Sequence, residues 1–322
     1  MDLTASANSS MNIAILDDYQ GVALKTADWS PLRNRATITV FEDHLSDPEA
    51  IVARLLPFDV ICVMRERTPL PRNILMRLPR LKLIASTGPR NASIDAAAAA
   101  EYRIEVAHTR YDASSTVELT WALILASIRN IVIENTFLRS GGWQRTVGEG
   151  LRGKTLGALG LGRIGSEVAR IAVAFGMEVI AWSQNLTPEA ATSRGARWVS
   201  KEDLFRQSDI VTIHLVLSHR TKGLVGEPEI RLMKRSARLV NTSRGPIVQE
   251  PALVGALREG RIAGAAIDVF DVEPLPPDHP FRVMENVVAT PHIGYVSLEL
   301  YKIFYQDCVE NIAKWLGQGR RS

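Results

Sequence analysis

The sequence predicts an α/β protein built on parallel sheets, and three observations support this fold class. Strand-like and helix-like segments alternate through the first hundred residues. The alternation returns from residue 154 to residue 291, with clearer turn residues between the segments. In this second region a glycine-rich turn over residues 160–165 joins an apolar strand to a helix. Strands that alternate with helices are typical of a parallel sheet with helices on its faces.

The composition limits the class of protein and its partners. The chain has 322 residues, 46% hydrophobic and 23% charged, so it is long enough for two globular domains with large cores. The net charge is only +3 and Lys and Arg do not cluster, so we expect no nucleic-acid partner. No segment approaches the roughly 18 apolar residues of a membrane span, so we expect no membrane partner.

The cysteines and the N-terminus bear on the cellular compartment. Cys62 and Cys308 lie in apolar patterns typical of packed, reduced side chains, and we expect neither a disulfide nor a metal site. Residues 1–10 lack the basic start and apolar stretch of a signal peptide and are predicted to be a disordered extension. These features favour a cytoplasmic protein whose fold begins at Met11.

The first hundred residues predict four strands and two helices. Each strand is a short apolar or β-branched run, and each helix shows a helical apolar period. The predicted strands cover residues 12–16, 37–41, 59–63 and 81–86, and the predicted helices cover residues 47–56 and 71–78.

A longer helix is predicted next. Residues 117–138 are apolar with a helical period, too long for a strand, and they include charged residues. Asp112, Ser114 and Ser115 precede this stretch and offer side chains that cap a helix. We therefore predict a single helix of several turns.

The remaining chain predicts six strands and a final helix. The predicted strands cover residues 155–159, 178–182, 210–214, 239–242, 265–269 and 287–290. Residues 298–316 predict an amphipathic helix, and we expect its apolar face to pack on another surface.

The glycine-rich turn reads Gly160-Leu161-Gly162-Arg163-Ile164-Gly165. In a dinucleotide site the first glycine allows a tight turn, the second lets the backbone approach a pyrophosphate, and the third lets strand and helix pack closely. The helix N-terminus adds free N–H groups and a partial positive charge. A plain glycine turn is the alternative, but the strand before it and the helix after it favour a dinucleotide.

The choice between NAD and NADP depends on the end of the second strand. An acid expected about 20 residues after the glycines would bind the ribose hydroxyls of NAD. Here Ser183, Gln184 and Asn185 follow the strand, and none is acidic or an arginine. Polar side chains suit either ribose, so we expect NAD and leave NADP open.

Polar and ionisable side chains follow the other strands of the second sheet. The ends of these strands carry His214, Thr242, Arg244, Asp268, Glu273 and His292. Ligands of open α/β sheets bind outside the carboxyl ends of the strands, so we expect these groups to line one site. Each is ambiguous alone, because such histidines often serve packing and such aspartates often serve turns.

These residue types suit the reduction of a ketone, which needs a hydride on carbon and a proton on oxygen. A histidine can supply the proton near neutral pH, and His292 with Glu273 is the candidate acid/base dyad. Arg244 can donate a bidentate pair of hydrogen bonds to a substrate carboxylate and polarise the neighbouring carbonyl. These requirements point to a 2-oxo acid as the substrate.

Four motifs together resemble the D-isomer-specific 2-hydroxyacid dehydrogenase family, over nearly the whole chain from Met11 onward. They are Gly-Leu-Gly-Arg-Ile-Gly at 160–165, Asn-Thr-Ser-Arg-Gly at 241–245, Asp-Val-Phe-Asp-Val-Glu-Pro at 268–274 and Thr-Pro-His-Ile-Gly at 290–294. The resemblance implies that Arg244 binds the substrate carboxylate, Glu273 pairs with the histidine, and His292 is the acid/base.

The resemblance implies further binding residues. Asp268 would bind the nicotinamide carboxamide, and Thr116 would lie at the nicotinamide side of the cofactor. The loop at 86–91 is similar to the family's substrate loop, in which backbone N–H groups, here around Thr87 and Gly88, hold the carboxylate. Arg65 is a candidate to meet a substrate phosphate, with a solvated loop arginine as the alternative.

The family architecture implies two doubly wound parallel-sheet domains. A flavodoxin-like substrate domain would cover residues 11–108 and 297–322, and a Rossmann cofactor domain would cover residues 109–296. The long helix at 117–138 then resembles the family's dimerisation element, so we expect a homodimer. Because the chain ends at Ser322, we expect no regulatory domain of the kind that longer phosphoglycerate dehydrogenases carry.

The leading hypothesis is an enzyme that interconverts a 2-oxo acid and a D-2-hydroxy acid, with glyoxylate, hydroxypyruvate and 3-phosphohydroxypyruvate as substrate types. The alternative is a dinucleotide-sensing binding protein, because the family resemblance extends to transcriptional corepressors that keep the fold. A third hypothesis is formate oxidation. In those enzymes the histidine works with a glutamine, so Glu273 speaks against it.

Overall fold

The structure is a computed structural model that describes residues 10–318. The extension predicted for residues 1–10 therefore lies outside the described residues, apart from Ser10. Contacts divide the chain into two compact units. The first unit contains the chain up to Asp112 and the segment from Val296, and the second contains Ala113–Tyr295.

The strands of both units are short, between two and five residues. They are β1 (Met11–Ile15), β2 (Ala36–Val40), β3 (Val60–Val63), β4 (Leu83–Ser86), β5 (Glu105–His108), β6 (Thr155–Leu159), β7 (Glu178–Trp182), β8 (Arg197–Trp198), β9 (Ile210–Ile213), β10 (Arg238–Asn241), β11 (Gly264–Ile267) and β12 (Val287–Ala289).

The helices alternate with the strands in most of the chain. They are α1 (Ala23–Thr26), α2 (Pro48–Leu55), α3 (Arg72–Leu75), α4 (Ala96–Glu101), α5 (Ser114–Ile128), α6 (Ile131–Arg139), α7 (Arg163–Ala174), α8 (Pro188–Thr192), α9 (Lys201–Gln207), α10 (Glu227–Leu232), α11 (Glu250–Arg258) and α12 (Leu298–Gln318).

The first unit has a five-stranded parallel sheet in the order β2-β1-β3-β4-β5. Its central strands β3 and β4 are buried on both faces, as expected for apolar strands between helix layers. Aspartate side chains cap the N-termini of α2 and α4, because Asp47 accepts the Ala50 N–H and Asp95 accepts the Ala98 N–H. The order is that of a flavodoxin-like doubly wound sheet.

The second unit has a seven-stranded parallel sheet in the order β12-β11-β10-β9-β6-β7-β8. The chain builds outward from β6 in one direction and from β9 in the other, so the order reverses between these two strands. In doubly wound sheets the ligand crevice opens at such a reversal. Both sheets confirm the predicted fold class.

The prediction of a single long helix at 117–138 is wrong. Two helices, α5 and α6, meet at an angle of 65°, and Asn130 between them has a left-handed backbone with φ of 53°. Ala113 is the N-cap residue of α5 and makes no side-chain cap bond, and capping by the neighbouring Asp112, Ser114 or Ser115 stays a prediction. Within residues 10–318 no single helix meets the length and hydropathy needed to cross a membrane, whereas the bent α5–α6 pair passes that test jointly.

Candidate active site

The glycine turn after β6 is shaped by two close backbone contacts. Gly160 has a φ of 102°, and a Cβ there would lie 2.7 Å from the carbonyl oxygen of His214. A Cβ on Gly165 would lie 2.1 Å from the carbonyl oxygen of Gly160. Both positions therefore require glycine for the turn and for the packing of α7 on β6.

Gly162 differs, because open space surrounds the place where its Cβ would be. It is exposed, it is the N-cap residue of α7, and no heavy atom lies within 4 Å of that position. Arg163, Ile164 and Gly165 form the first turn of α7, where backbone N–H groups lack intrahelical partners. An open cradle beside free N–H groups and a positive helix end fits the pyrophosphate of a dinucleotide.

The neighbouring strand ends carry the other residues predicted to bind the cofactor. Ser183 is half-buried and Gln184 is exposed after β7. Nε2 of His214 lies 2.9 Å from Oγ1 of Thr212, and burial lowers the pKa of His214 to about 4. His214 is therefore neutral at pH 7. Thr242 is buried after β10.

Glu273 and His292 form a pair at the ends of β11 and β12. Nδ1 of His292 lies 2.5 Å from Oε2 of Glu273, and the two side chains are 22% and 34% exposed. The backbone N–H of Phe270 donates to the second carboxylate oxygen, Oε1, at 2.9 Å. His292 has a φ of 52°, which is uncommon outside glycine, so the surrounding contacts hold its backbone in place.

Asp268 makes several of the contacts that fix the backbone around His292. Its carboxylate is fully buried and accepts Oγ1–H of Thr290 at 2.6 Å and the N–H groups of Ile293 and Gly294, each at 2.8 Å. Burial raises the pKa of Asp268, while these hydrogen bonds act in the opposite direction. The carboxylate thus clamps the segment that carries His292. Its predicted role toward the nicotinamide carboxamide stays a prediction.

Helix α5 braces the same region. Thr116 donates its hydroxyl to the carbonyl oxygen of Gly294 at 3.0 Å, two residues beyond His292. Oγ1 of Thr120 lies 2.8 Å from Oγ1 of Thr242, which joins α5 to the end of β10. Thr116 therefore lies beside the segment of His292, and its role toward a nicotinamide stays a prediction.

Arg244 lies in a tight turn after β10. The Asn241 side chain donates to the carbonyl oxygen of Arg244 at 3.0 Å and accepts the Ser243 N–H at 3.0 Å. Nη1 of Arg244 donates to the Ser243 carbonyl at 2.7 Å. A Cβ on Gly245 would lie 2.1 Å from the carbonyl group of Phe270, so the Arg244 turn directly touches the loop that leads to Glu273.

These contacts place the predicted catalytic residues at adjacent strand ends. β10, β11 and β12 are neighbours in the sheet, and neighbouring strands lie about 4.8 Å apart. Sequence reasoning missed Thr290 and the Phe270 N–H as supports of the dyad. The role of Thr290 could have been predicted from the Thr-Pro-His motif, in which it stands two residues before His292.

The predicted substrate loop lies in the first unit, after β4. Thr87 is buried; its Oγ1 accepts the Arg65 N–H at 2.8 Å and donates to the Val63 carbonyl at 3.2 Å. The Gly88 N–H donates to Oγ1 of Thr109 at 2.7 Å. Both residues thus already bond to segments outside the loop, and their predicted role toward a carboxylate stays a prediction.

Arg65 packs tightly against this loop. A Cβ on Gly88 would lie 1.7 Å from its Nη1, and its guanidinium lies 5.4 Å from the ring centre of Tyr111. Its Nη2 lies 3.7 Å from a carboxylate oxygen of Glu66. The side chain is only 14% exposed, which is less than a freely solvated arginine has, and the predicted role of Arg65 toward a substrate phosphate stays a prediction.

Comparisons with known proteins agree with this geometry. The family model for "D-isomer specific 2-hydroxyacid dehydrogenase, NAD binding domain" matches residues 121–294. A glyoxylate reductase of Aeropyrum pernix is 44% identical over 258 residues, which cover 77% of each chain. A hydroxypyruvate reductase of Thermotoga maritima is 36% identical over 89% of this chain and 94% of the relative. The crystal structure of a phosphoglycerate oxidoreductase from Vibrio cholerae o395 covers 96% of this chain and 99% of its own, with a TM-score of 0.91 and 35% identity.

The fold and the site define a nicotinamide-dependent oxidoreductase that interconverts 2-oxo acids and 2-hydroxy acids. The chain belongs to the D-isomer specific 2-hydroxyacid dehydrogenase family. Its cofactor is NAD, with NADP possible. The predicted family, reaction and cofactor class are thereby confirmed, and the alternative of a binding protein without turnover is not favoured.

Proposed function

We propose that the chain reduces a small 2-oxo acid of the glyoxylate or hydroxypyruvate type, with His292 as the acid. The observation that carries this proposal is the Glu273–His292 pair, in which Glu273 engages Nδ1 and leaves the other ring nitrogen, Nε2, for a substrate. When bound, the dinucleotide supplies the hydride to the substrate carbon. The protonated His292 gives its Nε2 proton to the carbonyl oxygen, becomes neutral, and keeps its Nδ1–H on Glu273.

Arg244 is proposed to bind the substrate in this reaction. Its planar guanidinium can donate two parallel hydrogen bonds to the carboxylate and a third to the carbonyl oxygen. The Asn241 side chain and the Gly245 contact fix the backbone on either side of it. Thr87 and Gly88 are proposed to contribute to carboxylate binding through their loop.

Arg65 supports the choice of an unphosphorylated substrate. Its guanidinium lies against Gly88 and Tyr111, is only 14% exposed, and has Glu66 as a nearby counter-charge. Because a phosphate would have to compete with these contacts, we propose that 3-phosphohydroxypyruvate is a poorer substrate than hydroxypyruvate.

A panel of 2-oxo acids tests this function. We expect glyoxylate or hydroxypyruvate to oxidise the reduced dinucleotide with a kcat of about 1–10³ s⁻¹, and kcat/KM to be lower for 3-phosphohydroxypyruvate. The measurement is the loss of NADH and NADPH absorbance with each acid. Binding of the dinucleotide without its oxidation by any acid of the panel would contradict the proposal and favour a sensing protein.

We further propose a cytoplasmic homodimer. Both cysteines are buried free thiols, which suits a reducing compartment. Helix α6 has no buried residue, and the chain around and beyond it exposes Trp143 at 76% and Val147 at 94%. A stable dimer buries about 800 Å² per partner, and this apolar segment supports a second copy as its cover.

Charges on α6 should dissociate that dimer. We expect the double variant Val132→Asp, Leu138→Asp to run as a 35.5 kDa monomer, because both side chains are exposed apolar residues of the segment and a carboxylate is costly to bury. The molar mass is measured by light scattering after size exclusion. Val283→Asp, at an 83% exposed valine elsewhere in the unit, is the matched control. A double variant with the mass of the native protein would contradict the proposal.

A further inference from the structure

The loop that carries Glu273, here called the Glu273 loop, covers residues 271–279 and lies between two buried aromatic residues. Residues 271–274 are exposed, whereas Phe270 and Phe281 on either side of the loop are only 5% and 4% exposed. The rings of Phe270 and Phe281 pack with their centres 6.4 Å apart. An exposed loop has few packing contacts of its own, so the place of Glu273 depends on how the two ends are held.

Glu250, in the first turn of α11, contacts both ends of the Glu273 loop. Its Oε2 accepts the backbone N–H of Asp271 at 3.3 Å, and its Oε1 lies 2.9 Å from Nε2 of His279. The side chains of Glu250 and His279 are 21% and 14% exposed, so water and salt screen their contact only in part. One carboxylate thus joins the first and the last residue of the loop.

A second contact fixes the ring of His279. Its Nδ1 accepts the backbone N–H of Phe281 at 3.2 Å, which makes His279 the N-cap residue of the short 3₁₀ helix Pro280–Arg282. The rings of His279 and Phe281 also lie 4.8 Å apart. Because Nδ1 accepts a hydrogen bond, the ring proton lies on Nε2 and is donated to Glu250. Each oxygen of the Glu250 carboxylate therefore receives a donor from the Glu273 loop.

These contacts act on the proposed acid/base pair through the main chain. The Phe270 N–H donates to Oε1 of Glu273, and Oε2 of Glu273 lies 2.5 Å from Nδ1 of His292. The next N–H along the chain, that of Asp271, donates to Glu250. Two consecutive backbone N–H groups thus bond the two glutamates, and a shift of the Asp271 peptide would also displace the donor to Glu273.

We propose that Glu250 is a positioning residue of the reaction, because it holds the Glu273 loop where Glu273 meets Nδ1 of His292. His279 is its partner at the far end of the loop. This role rests on the proposed function, in which Glu273 and His292 form the acid/base pair. A carboxylate suits the task, because its two oxygens can accept from both loop ends at once and its charge strengthens each hydrogen bond.

Two variants should slow turnover without weakening binding. We expect Glu250→Ala to lower kcat by about 10- to 100-fold, since a misplacement of about 1 Å can cost roughly 100-fold in rate. His279→Asn should lower kcat by about 3- to 10-fold, because asparagine can still cap the Phe281 N–H but cannot reach Glu250. The KM for the 2-oxo acid and the affinity for NADH should stay within a few-fold. Glu227→Ala, at a first-turn glutamate of α10 that pairs with Arg231 of its own helix, is the matched control and should keep the native kcat.

The same variants in a Glu273→Ala background separate positioning from general support of the fold. Without the Glu273 carboxylate the loop has no group to place, so Glu250→Ala and His279→Asn should each lower the remaining kcat by less than about twofold. Support of the fold alone would lower kcat by the same factor in both backgrounds. If Glu250→Ala does not fold, His279→Asn, which keeps the cap of the 3₁₀ helix, completes the comparison.

The positioning role would be overturned by a native kcat in both Glu250→Ala and His279→Asn. An equal fold-loss with and without Glu273 would also overturn it, because the contact would then act on the site by another route. Both outcomes leave the turnover of the native protein, and with it the proposed function, intact. A native protein that binds NADH and reduces no 2-oxo acid would instead contradict the proposed function, and the positioning role would fail with it.

Discussion

Replacing His292 with asparagine should lower kcat by about 10²- to 10⁴-fold, the usual contribution of a general acid. Asparagine is the informative replacement because the backbone of His292 is left-handed, with a φ of 52°. Asparagine is enriched in that conformation, whereas alanine would be strained there. The amide group of the new side chain can also donate to Glu273, so the variant removes the titratable ring with little change in the backbone.

The readout separates chemistry from folding and binding. Turnover is measured with the best 2-oxo acid of the panel, and NADH affinity is measured by protein fluorescence. We expect the affinity to stay within a few-fold of the native value. His219→Asn, at an exposed loop histidine, is the control and should keep full activity. Native turnover in the His292 variant would remove it from the proposed mechanism.

The second large effect is expected at Gly162. A valine there should weaken dinucleotide binding by 100-fold or more, because its side chain would fill the space in which the pyrophosphate approaches the backbone. The fold itself should tolerate the change, since nothing lies within 4 Å of the Cβ position and the φ of −80° suits any residue. Glycine is favoured over valine at the N-cap of a helix, and losing this preference lowers the free energy of unfolding by at most about 1 kcal/mol.

Gly165→Val is the matched contrast. Its Cβ would lie 2.1 Å from the Gly160 carbonyl oxygen, so this variant should lose thermal stability as well as binding. Thermal unfolding and NADH titration of both variants give the test. Normal NADH binding by the Gly162 variant would show that the turn is not the pyrophosphate site. A strongly lowered melting temperature of the Gly162 variant would show that the space around the Cβ position of residue 162 is not open.

The sequence predicted the second sheet well because each of its core strands is an apolar run that ends in glycine or polar residues. The predicted strands at 155–159 and 178–182 match β6 and β7 residue for residue. The short edge strand β8 was missed, since two residues carry no periodic pattern. The polar segment of β5, Glu-Val-Ala-His, was missed for a similar reason.

The Glu273–His292 pair could be predicted because a parallel sheet brings consecutive strand ends together. The break at Asn130 could not, because residues 117–138 keep a helical apolar pattern and the left-handed turn depends on a single dihedral angle. The partners of Gly88 and Thr87 also escaped prediction. They come from Thr109 and Arg65, more than 20 residues away in the chain, and no local pattern records such contacts.

The contact between Gly245 and Phe270 has a consequence for the precision of the site. It joins two stretches of main chain with no side chain between them, so no rotamer can absorb a shift of one against the other. The backbone of Arg244 and the loop of Glu273 are therefore held at a fixed position relative to each other. A misplacement of about 1 Å between reacting groups can cost roughly 100-fold in rate. Van der Waals contact between backbone atoms thus sets the position of Arg244, the proposed carboxylate ligand, relative to the loop of Glu273, which contacts the proposed proton donor His292.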